Sequence, residues 1–327
     1  MAEPHLATDP ALGVVIVTYR SSDVIAACLA SLRAATGVAL HVVVVDNASR
    51  DDTVEVIRAA VPDLMGAAEA GQDGIALIEA GSNGGFAAGV NLGLARLAAN
   101  PALDRFWLLN PDCVVPPETP ALLASHDTRP RGAAMIAHRV VYGDDPGTIQ
   151  IDGGVIDRRT GITHNLNQFA PADSPAPDPS RIDFVTGASL VATRAHLEHA
   201  GPMTEDYFLY YEEVDWALRR GDLPISYCEG AVAHHVAGTA IGSQRMGSVA
   251  SPFSQYFKHR ARAMFLRRHF PAGLIGGAAW SLAKAAQLRV QGHGTEAAAL
   301  LRGFFGMAPP KQVLAALSPD ARAKIGR

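Results

Sequence analysis

Short runs of aliphatic and β-branched residues recur through the first two-thirds of the chain, separated by segments with helical spacing. LGVVIVTY (Leu12–Tyr19) is almost continuously apolar, which predicts a strand buried on both faces. From Asp23 the pattern turns helical, with Ile25, Leu29 and Leu32 on one face. HVVVVD (His41–Asp46), IALIEA (Ile75–Ala80) and RFWLLN (Arg105–Asn110) repeat the strand pattern, and a helix is expected from Phe86 to Ala98. Ser49 stands where an N-cap would, with Asp51 and Asp52 in the first turn of the helix that follows. Strands alternating with helices predict an α/β fold with a mostly parallel sheet covered on both sides. In such sheets ligands bind beyond the C-terminal strand ends. The polar residues there are Thr18, Asp46, Asn83 and Asp112.

Further along, glycine-rich alternation from Asp144 to Gly161 suggests a hairpin, and Pro171–Ser180 reads as a proline-rich surface loop. Ile182–Thr193 returns to strand, followed by a helix from Arg194 to His199. ISYCE (Ile225–Glu229) is a short strand leading to a glycine turn. After residue 250 the signal is helical and basic. The chain therefore divides into an α/β domain, residues 1–250, and a helical extension, residues 251–327.

Composition narrows the function classes. A net charge of -4 gives no electrostatic case for a nucleic-acid partner. Cys28, Cys113 and Cys228 are widely spaced, which excludes a zinc ribbon or disulfide framework and fits a reducing compartment. The N-terminal residues lack the basic and apolar regions of a secretory signal. No uncharged apolar run reaches the roughly 18 residues of a membrane span. A soluble or peripheral protein is expected.

Several segments carry candidate chemistry. Asp46, after four valines, can accept hydrogen bonds from a ligand or cap the next helix. Asn110–Pro111–Asp112 closes the fourth strand, where a carboxylate can hold a hard divalent cation; an ordinary Asn-Pro turn is the alternative. DYFLYYEEVDW (Asp206–Trp216) crowds Glu212, Glu213 and Asp215 among five aromatic rings. Like charges in a partly apolar site raise a pKa, as a general base requires; a helix with acids in its first turn is the plainer reading. His234–His235 offers imidazole for a first-row metal or serves structure alone. GSNGGFAAGVNLG (Gly81–Gly93) lacks the Lys-Ser/Thr of a phosphate-binding P-loop and follows the third strand, which disfavours a dinucleotide dehydrogenase. Close backbone approach to a flat group such as a base remains.

The order of VTYRSS, VVVVDNASRDDT, GSNGGFAAGVNLG, LLNPDCVVPP, VTGASLVA, EDYFLYYEEVDWALR and HHVAG, over about residues 12–242, resembles the family-2 inverting glycosyltransferases, and most closely their bacterial rhamnosyltransferase-like branch. The resemblance implies a GT-A-type, Rossmann-like sheet and a single-displacement transfer from a nucleotide-diphosphate sugar, with dTDP-rhamnose favoured over a UDP-hexose. The implied acceptor is a saccharide or lipid-linked saccharide in surface polysaccharide synthesis, made in the cytoplasm or at the inner face of the membrane. By the same resemblance, Thr18, Tyr19, Asp46, Asn83, Gly85, Phe86, Asn110 and Asp112 would contact the nucleotide sugar. Asp112 and His235 would hold Mg²⁺ or Mn²⁺. Gly187, Ala188, Asp215 and Trp216 would lie on the acceptor side. Glu213 stands at the family's base position, usually Asp, with Glu212 as an alternate. A nucleotidyltransferase, or a saccharide-binding protein of the same fold without activity, are the rival readings. For the basic segment Lys258–His269, with the apolar stretches Leu274–Leu288 and Leu300–Met307 that would deepen it, contact with anionic lipid and simple packing of these C-terminal helices on the domain both remain open.

Overall fold

The computed structural model describes residues 9–129, 131–236 and 249–325. In chain order the elements begin β1 (Ala11–Thr18), α1 (Ile25–Arg33), β2 (Ala39–Asp46), α2 (Thr53–Ala60), β3 (Gly74–Glu79), α3 (Phe86–Ala98), β4 (Arg105–Leu109), β5 (Cys113–Val114) and α4 (Thr119–Ser125). They continue with β6 (Met135–Tyr142), β7 (Ile149–Ile151), β8 (Gly154–Asp157), β9 (Ile162–Asn165), β10 (Ser189–Thr193), α5 (Arg194–Ala200), α6 (Glu212–Leu218) and β11 (Ile225–His235). Five helices close the chain: α7 (Pro252–His269), α8 (Gly273–Val290), α9 (Gly294–Phe304), α10 (Lys311–Ala316) and α11 (Pro319–Ile325).

The main sheet runs β3-β2-β1-β4-β10-β6-β11-β5, with β7 beside β6. Its first four strands are parallel, as their apolar runs predict. Beyond β4 the sheet is mixed: β10 is antiparallel to β4 and β6, while β6 and β11 are parallel. Leu12, Val14 and Ile16 of β1 face α1, and Val15 faces α3, so both sides of the strand are buried. Helix α3 comes very close to β1, because a Cβ at Gly89 or Gly93 would lie 2.6 Å from Val17 or Val15.

Several expectations are revised. Ser49 caps nothing, since Asp52 precedes α2 and Ser49 instead donates to Asp46. Of Ile182–Thr193 only Ser189–Thr193 is strand; the residues before it carry Gly187 and Ala188 across the sheet end. ISYCE does not stop at its glycine but continues as one strand to His235, with a register shift between Tyr227 and Val232. The hairpin expected over Asp144–Gly161 is displaced: β7 pairs with β6, and the hairpin is β8-β9, with β9 beyond Gly161. Strand β6 was not anticipated because His138 and Arg139 interrupt its apolar run. Both are accommodated inside, His138 on Ser189 at 2.7 Å and Arg139 in a two-pronged pair with Asp152 at 2.9 and 2.7 Å. Ala237, Gly238 and Thr239 of the His-Val-Ala-Gly-Thr signature lie outside the described residues.

Helix α7 joins the extension to the α/β part. Its aromatic face, Phe257 and Phe265, is buried, and most of its basic groups are engaged within the protein. Arg260 donates to the Asp206 and Tyr207 carbonyls, and Arg262 is buried over the Trp280 and Phe304 rings. The apolar face of this helix is therefore turned into the protein, which fits the packing alternative of the two its sequence leaves open, with Lys258 and Arg267 exposed. Arg268 and His269 reach the fully buried Asp215, which also accepts from Thr204, Tyr207 and Arg219. Burial alone would push the Asp215 carboxyl up. The hydrogen bonds from His269 and Thr204 and the Arg219 charge outweigh it and hold the group well below its ordinary range.

Because folded Asp215 binds its proton less tightly than in the unfolded chain, its stabilisation is complete above the unfolded pKa of about 4 and is lost as pH falls toward the lower folded value. Asp215→Asn is expected to cost about 3 kcal/mol at neutral pH, the usual cost of breaking a buried ion pair from one side. Urea unfolding across pH should show that gap narrowing below about pH 4.

Candidate active site

The C-terminal ends of β1, β2 and β4 open into a cleft of about 520 Å³. Tyr19, Asn83, Gly85, Phe86, Asn110, Asp112 and His235 line it, so seven of the residues expected to contact donor or metal come together there. Thr18 and Asp46 stand behind its wall. Asp46 is buried and accepts from Thr18 Oγ1 at 3.0 Å, Ser49 N at 2.9 Å and Ser49 Oγ at 2.6 Å, and Ser49 Oγ in turn receives the Arg20 amide. The carboxylate thus ties the ends of β1 and β2 into one rigid lip. The neighbouring Asn47, which the strand-end rule could have flagged, faces the cleft and donates to Gly85 O at 3.0 Å.

Register brings the N-P-D turn to His235. Strand β5 pairs antiparallel with β11, so Cys113 lies opposite His235, and the Val236 amide donates to Asp112 O. His235 Nε2 is 3.2 Å from Asp112 Oδ1 and 3.4 Å from Asn110 Nδ2. Its Nδ1 faces Gln150 Oε1 at 2.7 Å and carries the hydrogen of that bond, leaving the Nε2 lone pair toward the Asp112 carboxylate. Two acceptors at that distance repel unless a cation or proton stands between them. An imidazole nitrogen and a carboxylate oxygen fit a divalent ion such as Mn²⁺. Cys113 completes a cluster with them, but burial pushes its thiol well above the ordinary range and it donates to Ala188 O at 3.3 Å, so it does not serve as a thiolate ligand. His234, the next residue along the strand, belongs to the opposite face.

The acidic segment joins the cleft through the glycine loop. Gly85 has φ +90, and a Cβ there would stand 2.5 Å from the Phe208 carbonyl, which accepts the Phe86 amide at 3.1 Å. Only glycine meets both demands. Phe208, Tyr210 and Tyr211 themselves have φ of 69, 70 and 68, a strained conformation costing roughly 1–2 kcal/mol each. Beyond that turn α6 begins, and its helical rotation sends the two adjacent acids to different faces. Glu212 points into the interior, where burial and the Glu213 charge hold it well above the ordinary carboxylate range. Glu213 is half-buried, and a Cβ on Gly187 would lie 3.7 Å from its carboxyl carbon and 3.6 Å from the Phe86 ring. Burial pushes Glu213 up to about 7, against the amides of the α6 N-terminus and the Lys258 charge. Ala188 O accepts the Asn110 amide at 2.9 Å, so Gly187–Ala188 bridges the Asp112 side to the Glu213 side. Asp215 and Trp216 are not brought to this site: both are fully buried, Asp215 in its ionic cluster and Trp216 with its indole on Gly201 O.

The outer wall of the cleft comes from far along the chain. Phe253, Leu317, Ser318 and Ala321 line it, and Leu317 and Ala321 pack with Phe208 and Phe257. Lys324 donates to Gly84 O at 2.6 Å and pairs with Glu205 at 3.1 Å, tying α11 to the glycine loop. No periodicity in the sequence signals this contact. Lys324→Ala is expected to destabilise the fold by about 1 kcal/mol, measured by urea unfolding, the scale of one half-exposed charged hydrogen bond.

Comparison with known proteins places the chain in a family. The chain is 24% identical over 236 residues to a low-salt glycan biosynthesis hexosyltransferase of Haloferax volcanii, covering 68% of this chain and 66% of that protein. It is 27% identical over 248 residues to an N-acetylglucosaminyl-diphospho-decaprenol L-rhamnosyltransferase of Mycobacterium tuberculosis, covering 69% and 76%. In fold it is similar to a mannosyltransferase of Pyrobaculum calidifontis solved with GDP-Man and Mn²⁺, at a TM-score of 0.54 and 16% identity over 98% of this chain and 86% of that one. Residues 13–181 match the family described as glycosyl transferase family 2, and the chain belongs to that family of sugar-transferring enzymes.

Proposed function

We infer that the chain moves a sugar from a nucleoside-diphosphate donor to an acceptor hydroxyl with inversion, in the synthesis of a surface polysaccharide. The observation that carries this reading is the pairing of a half-buried acid titrating near 7, Glu213, with the Asp112–His235 pair across Gly187–Ala188. In this reading Glu213 takes the acceptor proton as the acceptor oxygen bonds to the anomeric carbon and the bond from that carbon to the diphosphate breaks. Tyr19, Asn47 and the Asn83–Phe86 loop hold the nucleotide, and Asn110 lies on its ribose side. Neutral Glu212 keeps a second charge away from the base. A divalent cation on Asp112 and His235 would offset the charge growing on the leaving diphosphate. Rhamnose from dTDP-rhamnose is the favoured donor, supported by the Mycobacterium tuberculosis relative, and a UDP-hexose is the second choice. The same relative supports a lipid-linked saccharide as acceptor. Release of nucleoside diphosphate from a panel of dTDP-rhamnose, UDP-hexoses and GDP-mannose tests the assignment, and no release from any donor with Mn²⁺ present would refute it.

Two variants probe the parts separately. Glu213 acts as a base only when ionised, and its raised pKa means that the rate should climb with pH through about 7 and level off above. Glu213→Gln should keep donor affinity, lower turnover about 10²-fold and abolish that pH limb, with Glu212→Gln milder. Asp112→Asn should lower activity more than about tenfold and raise the Mn²⁺ concentration needed for half-maximal rate.

A further inference from the structure

No helix among the described residues is long and apolar enough to cross a membrane, yet α8 has an outer face unlike that of a solvated helix. Gly277, Ser281, Ala285 and Leu288 turn inward and are buried. On the opposite side Ile275, Ala279, Leu282, Ala286 and Val290 follow one another at helical spacing, and all are exposed. Ile275 is 81% exposed, Leu282 54% and Val290 90%. A surface helix normally turns polar residues to water there. Phe305 and Met307, also exposed, follow α9 at the end of the helical hairpin where Phe304 packs on Gly277.

The charge around this face is one-sided. From residue 252 to 316 the chain has nine Lys and Arg and one acid, Glu296, although the whole protein carries -4; Arg260, Arg262 and Arg268 of α7 are engaged within the protein, which leaves the rest for this side. The two charged residues within α8 are Lys284 and Arg289, and Arg158 and Arg159 are exposed in the hairpin turn against which α8 begins. That turn also leads to the active centre. A Cβ at Gly276 would meet Arg159 O at 2.4 Å, and Gly161 O accepts the Tyr211 hydroxyl at 2.7 Å, one residue before Glu212 and Glu213.

We propose that the outer face of α8 docks on an anionic bilayer surface, its apolar stripe entering the headgroup region and its basic neighbours meeting lipid phosphates. An amphipathic helix with apolar residues on one side and cations at its flanks binds in this way, in the plane of the interface and without spanning. The acidic remainder of the chain is repelled by the same surface, which orients the protein with the α8 side down. The acids of α6 then lie one hairpin turn from the lipid, so the acceptor class this surface favours is a hydroxyl presented at the membrane.

The test is sedimentation of the full chain with vesicles of phosphatidylglycerol and phosphatidylcholine, against phosphatidylcholine alone. Ile275→Ser with Leu282→Ser changes two exposed residues away from the cleft, and unchanged thermal unfolding and nucleotide binding would establish that the variant is folded. The wild type should sediment with the anionic vesicles, less so in high salt, and the double variant at least about tenfold more weakly. A wild type that stays in solution, or a variant that binds equally well, overturns the proposal. So does a stable wild-type dimer by light scattering that the two substitutions dissociate, since a second copy would then cover the face.

Discussion

The Phe208 carbonyl rests against Gly85, and the active centre is built outward from that contact. Any side chain at Gly85 would strike the carbonyl, and the φ of +90 there disfavours every other residue. The approach fixes the glycine loop, whose Gly85 amide is also held by Asn83 and whose carbonyl is held by Asn47. It equally fixes the turn Phe208–Tyr211, three of whose four residues have positive φ and after which α6 begins with Glu212 inside and Glu213 against Gly187. On its far side Phe208 packs with Leu317 and Ala321, so the outer wall of the cleft depends on the same residue. Strain in this turn is compensated by the packing on either side of it, a common arrangement at functional sites.

The acids of DYFLYYEEVDW divide their work by burial. Asp215 is ionised in the interior because five donors surround it, and it clamps α7 onto α6. Glu212 has no comparable donors, and burial and the Glu213 charge hold its carboxyl well above the ordinary range. Glu213 lies between these extremes, where burial raises its pKa without removing it from solvent. Three carboxylates within four positions thus have three protonation behaviours, set by what each one faces.

A single cleft is shared by segments that are remote in sequence. Strand ends supply its floor, the glycine loop one side, and α7 with the α10–α11 corner the other. The extension is therefore part of the binding site as well as a support for it. The outer face of α8 contributes no residue to the cleft and is an apolar stripe with Lys284 and Arg289 on the same helix.

What the sequence by itself determined follows from short-range rules. Unbroken apolar runs marked β1 to β4, since a strand covered on both faces needs apolar side chains at every position. Polar residues just past those runs marked Asn110, Asp112 and Asn83, because parallel strands open their ligand sites there. The motif order, through its resemblance, pointed to His235 and Glu213. The tertiary structure decided matters that depend on distant partners. Strand β6 is hidden in the sequence because Ser189 and Asp152, which make its His138 and Arg139 tolerable inside, lie elsewhere in the chain. Asp46 is also held by partners the local pattern does not name, since Thr18 and Ser49 supply three hydrogen bonds to its carboxylate and tie the two strand ends together. Asp215 and Trp216 looked like acceptor contacts because they neighbour Glu213 in sequence, yet a helical turn sends adjacent side chains to different faces, and theirs is the core. The basic run of α7 looked solvated or lipid-bound, whereas carbonyls, aromatic rings and Asp215 from other segments receive most of its charges. Local pattern records which residues can be buried or exposed; only the assembled chain decides which partner each polar group meets, because that pairing is set by contacts between residues far apart in sequence.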